Sequence, residues 1–273
     1  MHFERKADSE VESKTRLPNT HDSQTFEKTL PFLSANFKAT NNVSVYAQYA
    51  QGFLVPPLAV LYAADDANHT GIKPQQSTNY QVGGIFNASK LTLDADIYYI
   101  EFTDKFQKAA SSSKTNPFYE NISGTTIYKG VEGEATYAIT DDLAAFANGS
   151  YNSAKDPAGF QIASAPKWTA AAGFVYKMGP INATLVTKFT GEQWAASSEA
   201  SQYKIPSYNL TNLLVGYDWG RFKLQGGVFN VFDSQDVTGI TVNDSAGTLA
   251  ANSHDQYFWQ AGRSYQLTVR ATY

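Results

Sequence analysis

The sequence predicts an all-β protein: an antiparallel transmembrane β-barrel sheet of about eleven strands. Three observations lead there. Charged residues make up only 17% of the 273 and aromatic residues 14%, yet mean hydropathy is negative. Runs of about ten residues alternate apolar and polar side chains, and the connections between them alternate short and long. No run of about 18 apolar residues occurs, so a helical span is excluded.

Composition alone suits a soluble β-sandwich or propeller equally well, so the individual runs matter. In Leu91–Tyr99 the side chains of Leu91, Leu93, Ala95, Ile97 and Tyr99 share one face, and Thr92, Asp94, Asp96 and Tyr98 the other. Ile127, Val131, Ala135, Tyr137 and Ile139 form an apolar stripe opposite Glu132 and Glu134. Trp168, Ala170, Ala172, Phe174 and Tyr176 form another, with aromatic rings at its ends. Ile181, Ala183, Leu185 and Phe189 oppose Asn182, Thr184 and Lys188. Phe222, Leu224, Gly226 and Val228 oppose Lys223 and Gln225. The last run sets Tyr265, Leu267, Val269, Ala271 and Tyr273 against Ser264, Gln266, Thr268, Arg270 and Thr272.

Eleven strands are expected near 30–39, 43–52, 75–88, 91–104, 126–139, 143–153, 166–177, 181–190, 207–218, 222–232 and 261–273. Many reach the roughly 9–11 residues a tilted strand needs to cross a bilayer, against about 5–6 for an ordinary strand. The short connections are Thr40-Asn41-Asn42, Ser89-Lys90, Thr140-Asp141-Asp142, Met178-Gly179-Pro180 and Trp219-Gly220-Arg221. The long ones fall near 53–74, 105–125, 154–165, 191–206 and 231–260. A membrane barrel puts short turns on the periplasmic side and long loops outside, whereas a sandwich has no reason to sort them. An odd strand count leaves the first and last strands running the same way. Bacterial single-chain barrels have even counts, so the remaining strands are expected from an N-terminal segment or another chain. Residues 1–29 are charged, polar and without alternation, and are expected to be an external loop or disordered lead-in to the barrel portion at 30–273. Met1–Glu10 lacks the apolar core of an export signal.

Several segments resemble the C-terminal barrel of TonB-dependent outer-membrane receptors. Tyr49–Leu58 (YAQGFLVPPL) resembles a strand-to-loop segment with Gly-Phe and Pro. Ile72–Gly83 (IKPQQSTNYQVG) resembles a Lys-Pro-Glu … Ser … Asn-Tyr-Glu … Gly strand, with Gln75 and Gln81 where the family has Glu. Asn121–Glu134 (NISGTTIYKGVEGE), Pro206–Tyr217 (PSYNLTNLLVGY), Gly227–Asp233 (GVFNVFD) and Gly262–Tyr273 (GRSYQLTVRATY) resemble further family segments in the same order. The resemblance implies a 22-stranded barrel with a plug, of which these strands are the last eleven. It implies a cell outer-membrane location and active uptake of a bulky scarce nutrient, a ferric siderophore being the expected cargo, driven by TonB in the full-length parent. No plug-like segment or TonB box is recognised in these residues. The alternatives are a passive porin-like channel, a soluble β-protein, or a truncated nonfunctional fragment.

Candidate residues follow from the register. Asp94, Asp96, Glu132, Glu134 and Arg270 are expected to face the lumen, where the acids touch a plug, line the path or are simply solvated. Paired carboxylates can serve acid–base chemistry, but here they lie at strand spacing without a nucleophile, so no enzyme is expected. His69, Trp194, His254, Tyr257 and Trp259 lie in long loops and could grip an iron-chelate ligand. Tyr265, Leu267, Val269, Ala271 and Tyr273 resemble the C-terminal signal read by the barrel-assembly machinery. Lipid and lipopolysaccharide are the expected surroundings. The four His are too dispersed for a metal site, and no cofactor is expected. With a formal net charge of −4 and no basic cluster, neither is nucleic acid. The Asn-x-Ser/Thr triplets at Asn42, Asn121 and Asn182 read as compositional noise.

Overall fold

The computed structural model describes residues 2–10, 21–56, 72–108, 119–196, 199, 203–242 and 255–272, the first 25 as backbone alone. Its strands begin with β1 (His2–Glu10), β2 (His21–Thr29), β3 (Phe32–Lys38), β4 (Val43–Leu54), β5 (Gln75–Asn87) and β6 (Leu91–Thr103). Next come β7 (Phe106–Lys108), β8 (Tyr119–Asn121), β9 (Thr126–Ala138), β10 (Leu143–Lys155), β11 (Trp168–Met178) and β12 (Ile181–Thr190). The last are β13 (Gln193–Trp194), β14 (Lys204–Ile205), β15 (Tyr208–Asp218), β16 (Phe222–Phe229), β17 (Val237–Thr241), β18 (Gln256–Trp259) and β19 (Ser264–Ala271). Among the described residues there is no α-helix.

Eleven strands form one sheet in the order β19-β16-β15-β12-β11-β10-β9-β6-β5-β4-β3. These are the eleven expected strands, with ends that differ by three residues or fewer. The other eight pair as two-stranded ribbons: β1-β2, β7-β8, β13-β14 and β17-β18. The chain divides into two compact units, one of Met1–Ala35, Ala47–Gln81 and Tyr99–Ile127, the other of Asn36–Tyr46, Val82–Tyr98 and Tyr128–Tyr273.

Short turns join β3 to β4, β5 to β6, β9 to β10, β11 to β12 and β15 to β16. Their chemistry is local. The Thr40 hydroxyl accepts the N–H groups of Asn42 (3.2 Å) and Val43 (3.0 Å). The Thr140 hydroxyl repeats this with Asp142 (3.3 Å) and Leu143 (3.1 Å). Gly179 and Gly220 sit at φ 53° and 76°, a region that favours glycine in a tight turn.

Register fixes which residues share a face. Across β10, β11, β12, β15, β16 and β19, one row reads Ala145, Phe174, Leu185, Leu213, Val228, Tyr265. The next row on the same face reads Leu143, Tyr176, Ala183, Val215, Gly226, Leu267. The opposite face carries Lys177, Asn182, Gly216, Gln225 and Thr268 in one row. Exposure runs opposite to that of a soluble protein. On β6, Leu93 and Ile97 are uncovered, Ile97 by 59%, while Asp94, Asp96 and Tyr98 are half-buried. On β11, Trp168, Ala170, Ala172 and Phe174 are exposed and Thr169, Ala171 and Gly173 are covered. Such a face is stable against hydrocarbon, where apolar area is not penalised.

The apolar band has the right height. Trp168 to Met178, at about 3.3 Å per residue and a tilt of about 40°, spans roughly 25 Å. Aromatic pairs mark its ends. Tyr151 stacks on Trp168 at the loop end (4.5 Å between ring centres), and Tyr217 on Trp219 at the turn end (4.6 Å).

Within residues 1–29 two strands pair with each other. β1 and β2 pair antiparallel from His2↔Thr29 to Glu10↔His21, outside the eleven-stranded sheet.

The face assignment predicts an asymmetry. Leu185→Lys should lower folding stability by about 2–4 kcal/mol in phospholipid vesicles, and Thr184→Lys, one residue away on the polar face, by under about 1 kcal/mol. Urea titrations of the two variants measure it, and equal losses would contradict the assignment.

Candidate functional site

The polar face holds a cavity of about 400 Å³ lined by Tyr46, Asp94, Asp96, Glu132, Glu134, Asn148, Ser150 and Thr169 among others. The structure thus gathers the four acids that the register pointed inward, and the lining contains no Lys, Arg or His. The Tyr46 hydroxyl bonds Asp94 Oδ1 (3.0 Å) and Asp96 Oδ2 (3.3 Å). Its ring lies over Gly83 of β5, where a Cβ would collide with it. Tyr98 lies the same way over Gly130 of β9 and bonds Asn152 Oδ1 (3.0 Å). Glycine gives each ring its bed, and the ring covers the bare backbone. Such a wall can hold cations or hydrogen-bond donors. Among the described residues no group of three His, Cys, Asp or Glu is arranged to bind a metal. Arg270 lies elsewhere, in register with Lys223, which is in register with Asp218.

Two asparagines tie the long connections. Asn121 Oδ1 accepts the Lys73 N–H (2.7 Å), and its Nδ2 donates to the carbonyls of Lys73 (2.9 Å) and Asp104 (2.7 Å). Three segments therefore meet at one amide, beside a polar cavity of about 640 Å³ lined by residues 72–73, 103–104 and 119–125. Asn230 ends β16 at φ 52° and is almost wholly buried. Its Nδ2 donates to the carbonyls of Ser234 and Ala261 (both 2.8 Å), and its Oδ1 accepts the Ser234 N–H (3.1 Å). Asp233 Oδ1 then accepts the Arg263 N–H (2.7 Å). Segments GVFNVFD and GRSY, far apart in sequence, form one joint that delivers β19 to the sheet. Sequence reading missed both roles: Asn121 looked like noise, and Asn230 lay inside an expected strand.

The loop aromatics fall into two groups. Trp194 is 8% exposed, with the ammonium groups of Lys167 and Lys204 at 4.9 and 5.8 Å from its ring centre. It is buried, as are Ala154, Gln161, Tyr203 and Ile205 of the same connections. Tyr257 and Trp259, 48% and 62% exposed, share one face of the β17-β18 ribbon opposite Ile240 and Val237. His69 and His254 lie outside the described residues. Around the loop core, Glu199 accepts Lys155 Nζ (2.9 Å) and the Gln161 N–H (2.8 Å). The lysine first, and then the backbone N–H, hold its carboxyl below its ordinary pKa.

In the last strand, Tyr265, Leu267 and Val269 are exposed on the apolar face in register with Val228, Gly226 and Leu224, and Ala271 pairs with Phe222. Tyr273 lies outside the described residues.

An inside-out antiparallel sheet with sorted loops and one acidic face is the sheet of a membrane β-barrel. The TonB-dependent receptor-like β-barrel family model matches residues 3–231, and the chain belongs to that family. It is 27% identical over 268 residues to the ferrioxamine receptor of Yersinia enterocolitica, covering 95% of this chain and 35% of that protein. Among solved structures it matches the copper transporter OprC (TM-score 0.74, 19% identity, 94% of this chain and 40% of that one). It also matches the ferric yersiniabactin uptake receptor of Yersinia pestis (TM-score 0.72, 19% identity, 99% and 41%). The chain thus spans about a third to two fifths of these relatives' length.

Two predictions follow from the joints. Asn230→Ala strands the Ser234 and Ala261 backbone groups and should cost about 2–3 kcal/mol. Asn230→Gly keeps the φ but not the bonds and should not rescue it, as thermal unfolding can show. The Glu199 tie has a lowered folded pKa, so its contribution is full above the unfolded carboxylate pKa and is lost as pH falls through the folded value. The protection factor of the Gln161 amide, which corrects for the intrinsic slowing of exchange in acid, should therefore fall as pH drops, and Glu199→Gln should remove that fall.

Proposed function

We propose that this chain is the C-terminal barrel wall of a TonB-energised receptor in a bacterial outer membrane, and that the parent protein imports a ferric siderophore or similar bulky, scarce nutrient. The observation that carries this is the family match over most of the chain, together with a sheet whose exposed face is apolar and whose covered face is acidic. The similarity to a ferrioxamine receptor favours an iron chelate as cargo.

In this reading Tyr257 and Trp259 contact the ligand from outside, since exposed rings stack on flat chelating groups. Asp94, Asp96, Glu132 and Glu134 line the wall facing the plug and the path. Tyr265, Leu267, Val269, Ala271 and Tyr273 present the C-terminal strand to the barrel-assembly machinery, while lipid and lipopolysaccharide surround the apolar face. The polar inner wall also suits a passive channel, and energy dependence separates the two.

The test is uptake of radiolabelled ferric hydroxamate by iron-starved cells expressing the full-length gene. Saturable uptake abolished by a protonophore is expected, and Tyr257→Ala with Trp259→Ala should weaken binding about tenfold, or about 1.4 kcal/mol. Linear, protonophore-insensitive entry would replace the receptor reading with the channel.

A further inference from the structure

Tyr257 and Trp259 stand on a ribbon too small to hold itself. β17 has five residues and β18 four, and an isolated two-stranded hairpin is at best marginal in water. Two supports are present. At its base, the Gln260 side-chain amide donates to the Asn209 carbonyl of β15 (3.2 Å), and the Gln260 N–H to the Asp236 carbonyl (2.8 Å). Along its flank, β17 lies against β14.

β14 is itself half of a ribbon with two residues in each strand, so its order must also come from elsewhere. The Trp194 carbonyl of β13 accepts the Ser164 N–H (2.8 Å), which joins the ribbon to the preceding long connection. The ammonium groups of Lys167 and Lys204 lie over the Trp194 ring, and Lys204 also pairs with Glu192 (2.6 Å). Glu199 then reaches back to the same preceding connection and takes two donors there, Lys155 Nζ and the Gln161 N–H. Both bonds are charge-assisted, and Gln161 is almost wholly buried, so its N–H would be stranded without Glu199. Tyr203 and Ile205, the latter in β14, are left with almost no exposed surface. Described residues of three successive long connections thus form one line of contact, from Lys155 through Glu199 and β13-β14 to β17.

We infer that Glu199, Trp194 and Ile205 are positioning residues for the cargo contact: they hold β13-β14 in place, and β13-β14 braces the ribbon that presents Tyr257 and Trp259. This rests on the reading above that those two rings meet the cargo. The three residues act without touching it. Their contribution is to keep two exposed rings in one arrangement before binding, so that less order has to be imposed when the cargo arrives.

The test uses the full-length gene product in phospholipid vesicles, with hydrogen exchange and binding of a radiolabelled ferric hydroxamate as readouts. Glu199→Ala should speed exchange of the β17-β18 amides and weaken binding about fivefold. Amides of β11 and β12 should keep their protection, which shows that the sheet is intact. Lys155→Met should act in the same direction and less, because the Gln161 N–H keeps its acceptor. In a Tyr257→Ala, Trp259→Ala background, Glu199→Ala should weaken binding by less than a further factor of about two, since both changes remove the same contact. Unchanged exchange in β17-β18, or a full fivefold loss in that background, would overturn the inference. If the aromatic double variant binds as tightly as the unchanged protein while ribbon exchange still rises in Glu199→Ala, the cargo-contact reading falls and the bracing of the ribbon stands.

Discussion

A backbone amide that leaves water must find a carbonyl, and most features of this chain follow from meeting that demand in a hydrocarbon surround. A strand inside the sheet is satisfied by its two neighbours. Its side chains are then free to alternate, one set facing lipid and the other an aqueous wall. Phe174 and Leu185 can stand uncovered on one face because Thr169, Asn182 and their neighbours occupy the other. No second sheet is needed to hide the apolar rows. This is why, among the described residues, the buried apolar side chains are few: Val55, Ala154, Trp194, Tyr203 and Ile205. All lie at strand ends or in connections, where the backbone leaves the ladder and must be packed by other means.

The same demand explains the asparagines. Where a long connection begins, carbonyls and N–H groups lose their ladder partners, and a side-chain amide offers both a donor and an acceptor. Asn121 satisfies three such groups from two segments, and Asn230 satisfies three more while turning the chain through a positive φ. Each amide thus replaces a stretch of sheet with a point joint. The loops are held at their roots, and exposed residues such as Tyr257 and Trp259 ride on a ribbon whose base is fixed through the bond from Gln260 to Asn209.

The strands were legible because alternation and turn chemistry act locally: Leu91–Tyr99 shows its two faces in nine residues, and Thr140-Asp141-Asp142 carries its own hydrogen-bond acceptor. That Asp94, Asp96, Glu132 and Glu134 share one face was legible for the same reason, since register passes from one hairpin to the next. What stayed hidden depended on partners distant in sequence. Nothing near Trp194 announces that Lys167 and Lys204 will lie against its ring. Nothing in the run Phe222–Phe232 shows that Asn230 will stop the strand to reach Ala261. The β1-β2 ribbon was hidden because its strands, HFERKADSE and HDSQTFEKT, carry no apolar alternation for the sequence to show.

The inner wall shows how far position and charge together constrain function. Four carboxylates share one cavity whose lining includes no cation, and Tyr46 donates its single proton to two of them. Their mutual repulsion is tolerable only while water or a positively charged neighbour screens it. A dry, bare wall is therefore the least favourable state of this surface, and one that is hydrated or faced by hydrogen-bond donors is the stable one.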